Sequence, residues 1–140
     1  MKLSKKSQYA ISALIYLGLP ENKDKYISVL EISQNLNFSK IYLEQVFSLL
    51  KKSEMLNSTK GIYGGYKLVK SPSEISVFDI LQLTESLIFA PFDEVNLSYE
   101  KALVYLHQEL DSSIITSLKA MTLDKLISKA QENDALMYYI

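Results

Sequence analysis

This 140-residue chain contains no cysteine, no arginine and no tryptophan, and a single histidine. Without cysteine there can be no disulfide, no thiolate zinc site, no cysteine-held iron–sulfur cluster and no thiol redox switch. One histidine excludes a His-rich metal site. All 15 basic residues are lysines, so the planar fork that pairs bidentately with guanine is missing. Long apolar runs are also missing. The longest uncharged apolar run covers residues 87–92, far short of the roughly 20 residues of a membrane helix. The start, Met1-Lys2-Leu3-Ser4-Lys5-Lys6, is basic, but no signal-type apolar core follows it. The expectation is a cytoplasmic protein. No Ser/His/Asp set converges into a catalytic arrangement, so the chain reads as a non-enzyme without metal or cofactor.

Glycine is scarce, yet three of the four glycines fall within five residues, in Lys60-Gly61-Ile62-Tyr63-Gly64-Gly65-Tyr66. A helical pattern ending in Lys51-Lys52 precedes the cluster, and the strand-like Tyr66-Lys67-Leu68-Val69-Lys70 follows it. The cluster opens no helix, so it is not a nucleotide-binding phosphate loop. It reads as the tip of a hairpin, with Gly61, Gly64 and Gly65 permitting positive backbone angles.

Around it the pattern is helical. Ser4 caps a first helix over residues 5–19, with Tyr9, Ala10, Ala13, Leu14 and Leu17 on one face. Residues 21–25 form a charged loop. Ser28-Val29-Leu30-Glu31 is a capping box that starts a short helix to Leu36. After Asn37-Phe38-Ser39, Ser39 caps a third helix over residues 40–53, with Leu43, Val46, Phe47 and Leu50 inward. Two helices so closely joined are a helix-turn-helix signature. Strands at residues 55–59 and 66–70 add a wing, and Ser76-Val77-Phe78-Asp79 starts a fourth helix to Ser86. The predicted class is mostly α with a small β-hairpin wing. The expected organisation is a DNA-binding winged helix-turn-helix domain over residues 1–86, a linker over 87–97, and a dimerisation helix, final short helix and apolar tail over 98–140.

Charge supports that division. Residues 1–70 hold 11 lysines and 5 acids, a net +6, whereas residues 71–140 hold 4 lysines and 11 acids, a net −7. A basic front half suits a face that meets phosphate; the other reading is chance asymmetry on a solvated surface. The third helix would enter the major groove by its first turn. Its outward candidates are Ser39, Lys40, Ile41, Tyr42, Glu44 and Gln45. Glu44 can accept from a cytosine amino group and Gln45 can pair with adenine, whereas Tyr42 either touches phosphate or packs the domain edge. At the wing, Lys60 reaches minor groove or phosphate, Ile62 and Tyr63 add apolar contact to sugars, and Gly61, Gly64 and Gly65 let the backbone approach. Lys2, Lys5, Lys6, Lys51, Lys52 and Lys67 complete the basic face.

The next helix, residues 98–120, carries Tyr99, Leu103, Leu106, Leu110, Ile114 and Leu118 at spacings of three and four. Such a stripe is too long for the small head to cover entirely and predicts a homodimer seam; the other reading is packing across its own domain. A last helix fades near Asn133, and the chain continues into the apolar Leu136-Met137-Tyr138-Tyr139-Ile140.

These residues resemble the Rrf2 family of bacterial winged-helix transcription regulators. The likeness runs from Met1-Lys2-Leu3-Ser4 through Tyr42-Leu43-Glu44-Gln45, the Gly61…Gly64-Gly65-Tyr66 wing, Glu74-Ile75-Ser76…Asp79-Ile80-Leu81 and Thr122-Leu123. It implies a homodimer, palindromic double-stranded operator DNA, and base-reading and minor-groove positions for Glu44 and Lys60. Many members hold an iron–sulfur cluster through three cysteines ahead of the long helix, where residues 87–99 here have none. His107 falls where the family usually has tryptophan, so the resemblance implies a packing role for it. The chain is similar in particular to a cluster-free branch, the cysteine-metabolism repressors of low-GC Gram-positive bacteria. That likeness implies a partnership with cysteine synthase, which accepts peptides ending in isoleucine, through Tyr138, Tyr139 and Ile140. The other reading of the tail is packing on its own dimer. Two other functions fit the same residues: direct sensing of a small ligand at residues 87–96, or a DNA-free interaction adaptor.

Overall fold

Ser4 turns its side chain onto the amide of Ser7 and opens α1, Lys5–Gly18. The computed structural model describes residues 2–85 and 97–138, with side chains through residue 132. Along α1, Ala10, Ala13, Leu14 and Leu17 are buried, the three- and four-residue spacing of a single inward stripe. Pro20 ends the helix and opens a 3-10 turn, Pro20–Asn22, because proline cannot continue the α-helical ladder.

Serine caps set the next two helices. Ser28 accepts from the Glu31 amide at the start of α2, Val29–Leu36. Asn37 adopts a left-handed conformation, φ 53°, which asparagine tolerates better than most residues, and the chain turns sharply. Ser39 then accepts from the Tyr42 amide and starts α3, Lys40–Lys52. Leu43, Val46, Phe47 and Leu50 are buried on α3, each worth about 1.5–3 kcal/mol of burial. Strand β1, Leu56–Thr59, pairs antiparallel with β2, Gly65–Leu68, from Leu56 opposite Leu68 to Thr59 opposite Gly65. After a 3-10 turn at Pro72–Glu74, α4 spans Val77–Thr84 behind a reciprocal Ser76–Asp79 capping box. Helix α5 is Ser98–Ala120, and α6 is Leu123–Tyr138.

Three expectations change. The loop ahead of α2 contributes a third, single-residue strand: Ile27 and Tyr66 exchange backbone hydrogen bonds of 2.9 and 2.8 Å. The final helix does not fade near Asn133 but continues to Tyr138. Nor does it belong with the dimerisation unit. Leu123 and Ile127 are buried in the same cluster as Leu14, Ile32 and Phe47. The Leu123 amide donates to the Ile75 carbonyl at 2.8 Å, and the Val77 amide to the Met121 carbonyl at 2.8 Å. The head therefore comprises α1–α4, the hairpin and α6, while α5 is the element apart. The expected linker lies outside the described residues except for Leu97.

Candidate nucleic-acid interface

Burial of Leu43, Val46, Phe47 and Leu50 dictates what α3 shows to solvent: Lys40, Ile41, Glu44 and Gln45 are all exposed. The helix entry is held by aromatic packing. Tyr9 stacks on Phe38 at 3.9 Å between centroids and meets Tyr42 edge-on at 4.9 Å. The Tyr9 hydroxyl also accepts from the Ser39 amide at 3.2 Å. Tyr42 is half-buried, so of its two expected roles the structure shows the edge-packing one. Lys40 Nζ lies 3.9 Å from Glu44 Oε1, with both side chains about half exposed. A screened pair of this kind is worth well under about 1 kcal/mol, so either partner can exchange it for a nucleic acid group.

The wing stands beside this face on a firm base. The Tyr66 ring meets Phe47 of α3 at 4.7 Å, and Lys67 Nζ lies 4.8 Å from the centre of the Tyr26 ring. Gly61 adopts φ 106°, and the Gly64 amide closes the loop on the Gly61 carbonyl at 3.0 Å. Gly64 does not take a positive φ as expected. It is needed for room, since a Cβ there would sit 2.6 Å from the Thr59 carbonyl oxygen. At Gly65 a Cβ would sit 2.3 Å from the Ile27 carbonyl, so the third strand requires that glycine. Lys60, Ile62 and Tyr63 project from the tip, exposed.

Lys2, Lys5 and Lys6 are exposed at the start of α1, and Lys51 at the end of α3. Beside the α1 start lies an acid that sequence reading missed. Glu85 Oε1 accepts from the Ser4 amide at 2.7 Å and from the Ser7 hydroxyl. Ser7 also shares a 2.7 Å hydrogen bond with Thr84. Hydrogen bonding from Ser4 and Ser7 holds the Glu85 carboxyl below its ordinary value. No local pattern announces this network, because its two halves are about 80 residues apart; the same holds for Ile27, whose only forewarning is the β-favouring pair Tyr26-Ile27 ahead of Ser28.

On α5, Tyr99, Leu103, Leu106 and Leu110 are 48–66% exposed. Ile114 and Leu118 are half-buried, towards the end of α5 where Lys119 lies 5.0 Å from the Phe78 ring of α4. Tyr139 and Ile140 lie outside the described residues, as does the side chain of Tyr138. Among the described residues, no group of three or more His, Cys, Asp or Glu could hold a metal ion, and no helix is long and apolar enough to cross a membrane.

The sequence profile of the Rrf2 family, described as an iron-dependent transcriptional regulator, matches residues 3–129. The chain belongs to the Rrf2 family. As such it is a DNA-binding transcription regulator and not an enzyme. The HTH-type transcriptional regulator CymR of Bacillus subtilis (strain 168) is 33% identical to this Rrf2 chain over 141 residues, covering 100% of both. Among solved structures, CymR, described as the global cysteine regulator of B. subtilis, superposes with a TM-score of 0.72 at 27% identity, covering 92% of this chain and 98% of that one. T. potens IscR superposes with a TM-score of 0.74 at 26% identity, covering 95% and 90%. The iron dependence in the family description does not fit the residues of this Rrf2 chain as a thiolate-held cluster, because it has no cysteine to supply.

Proposed function

We propose that this Rrf2 regulator is a homodimeric repressor of sulfur or cysteine metabolism genes that binds palindromic operator DNA. One observation carries the DNA reading: Lys40, Glu44 and Gln45 face solvent on α3 beside a wing, anchored through Tyr66 and Phe47, that presents Lys60 at its tip. In this arrangement the first turn of α3 enters the major groove, where Glu44 accepts from a cytosine amino group and Gln45 pairs with adenine. Lys60 stands at the adjoining minor groove and neutralises its flanking phosphate, and Lys2, Lys5, Lys6 and Lys51 neutralise further phosphates. The half-exposed stripe on α5 pairs two copies so that their α3 helices reach two half-sites. The metabolic assignment rests on full-length likeness to CymR. It extends to a partnership with cysteine synthase, in which the Tyr138-Tyr139-Ile140 segment occupies a carboxylate-binding pocket and the isoleucine side chain fills an apolar slot.

Mobility-shift titrations on genomic fragments test the DNA reading. Affinity should fall steeply between about 50 and 200 mM salt if roughly 6–10 phosphates are neutralised per dimer; a flat dependence would sink it. Removal of Tyr139 and Ile140 should abolish co-purification with cysteine synthase while leaving the dimer intact. Unchanged co-purification would refute the partnership without touching the DNA reading.

A further inference from the structure

Ile62 is 96% and Tyr63 is 92% exposed, more than any other exposed large hydrophobic side chain described. An isolated exposed apolar residue is ordinary. Two in succession at the outermost point of a glycine-closed loop are held away from their own domain and gain nothing from its core. The α5 stripe, by comparison, is already about half covered within one chain.

The support beneath this pair is firm. The Gly64 amide closes the loop on the Gly61 carbonyl, and the Ile27–Tyr66 exchange ties the base of the hairpin to the segment ahead of α2. Tyr66 packs against Phe47 of the buried core. A force applied at the tip is therefore passed to the head. The side chains themselves lose little on insertion, since β-branched isoleucine is already stiff at χ1 and tyrosine has few rotatable bonds.

The lack of arginine supplies the chemical motive. In the minor groove the pattern of base edges is degenerate, and lysine is a point charge rather than a fork. A regulator so equipped can read deformability instead, by sliding apolar side chains between base pairs where stacking is weakest. We infer that Ile62 and Tyr63 form an apolar wedge that enters the minor groove beside Lys60, partly unstacks a pyrimidine–purine step and bends the operator. This rests on the wing contact proposed above and adds to it a mode of sequence selection. Lys60 neutralises the flanking phosphate while the wedge discriminates TA or CA/TG steps from stiffer ones.

The test uses the full chain and a duplex that it selects from a random-sequence pool. Dyes at the two ends report bending, and 2-aminopurine at the step under the wing reports unstacking. Binding by the wild-type chain should bring the ends together by a bend of about 20° or more and raise 2-aminopurine fluorescence. The double variant Ile62→Ala/Tyr63→Ala should bind the duplex more weakly, keep the salt slope because neither side chain is charged, and lose both signals. Ile62→Leu combined with Tyr63→Phe should retain them. A wild-type complex with a straight duplex and unchanged 2-aminopurine overturns the wedge and leaves the DNA reading standing. So does a double-alanine variant that bends like wild type, or one that alters dimer mass instead of bending. Failure of the wild-type chain to select any duplex removes both readings.

Discussion

Helices α1 and α5 are both long and amphipathic, yet they are completed in opposite ways. On the 14-residue α1, the apolar stripe is buried within the chain. On the 23-residue α5, no described residue is buried, and its leading apolar side chains stand about half exposed. An isolated helix in water gains little from propensity alone and draws its stability from packing. The head therefore holds itself together, while α5, about 34 Å long at 1.5 Å per residue, keeps a half-open face that the second copy of the proposed dimer would cover. Folding and pairing are then separable events in the proposed dimer. In the proposed dimer, operator binding needs both, because only two copies can set two α3 helices one helical turn of DNA apart.

The largest effect that tests this contrast is in the head. Phe47 is completely buried and carries the Tyr66 ring of the wing. Phe47→Ala should cost about 3–5 kcal/mol in urea denaturation and loosen the wing with it. A cost under about 1 kcal/mol would mean that the head core is not the self-sufficient unit described. Next comes the seam. Substituting Leu103, Leu106 and Leu110 together with lysine should give a folded monomer by sedimentation, with helical circular dichroism largely retained. Operator affinity should fall about 100-fold as the second half-site loses its tether. If the triple variant stays dimeric, the exposed stripe is not the seam. A smaller effect belongs to the wing tip. Lys60→Ala should weaken binding about equally across sequences and reduce the salt slope by about 1 for each phosphate left without its lysine. Its stability should not move, since the side chain is exposed.

Legibility in the sequence followed the range of the interactions. Helices α1 to α5 are readable almost to the residue because their signals are short-range: serine caps at Ser4, Ser28, Ser39 and Ser76, and an apolar spacing of three and four. The outward face of α3 is readable for the same reason, since Leu43, Val46, Phe47 and Leu50 leave Lys40, Glu44 and Gln45 no other side. What the sequence hides depends on distant partners. Nothing near Leu123 announces that Ile75 will accept its amide hydrogen bond. Gly64 and Gly65 stand out in the sequence, but Gly64 does so for the wrong reason: its neighbour is the Thr59 carbonyl, as that of Gly65 is the Ile27 carbonyl. Tyr42 reads equally as a phosphate ligand or an edge residue until Tyr9, 33 positions earlier, is placed against it.

The smallest expected effect lies at the boundary between the two regions. Glu85 is the last described residue before the segment leading to α5, and it ties that point back to the start of α1 through Ser4 and Ser7. Those hydrogen bonds favour the ionised carboxylate and lower its native value from an ordinary 4.5. The stabilisation is therefore fully present above about pH 4.5 and is lost as pH falls through the lowered native value. Glu85→Gln keeps an acceptor oxygen for the Ser4 amide and loses only the charge. The variant should be less stable by about 0.5–1 kcal/mol at neutral pH, on the scale of one modest hydrogen bond partly screened by solvent, with the deficit shrinking below about pH 4.5. Urea midpoints measured between pH 3 and pH 7 would show the two curves converging in acid. Curves that stay parallel would mean that Glu85 acts through shape rather than charge, and the tie between the end of α4 and the start of α1 would then carry no pH dependence.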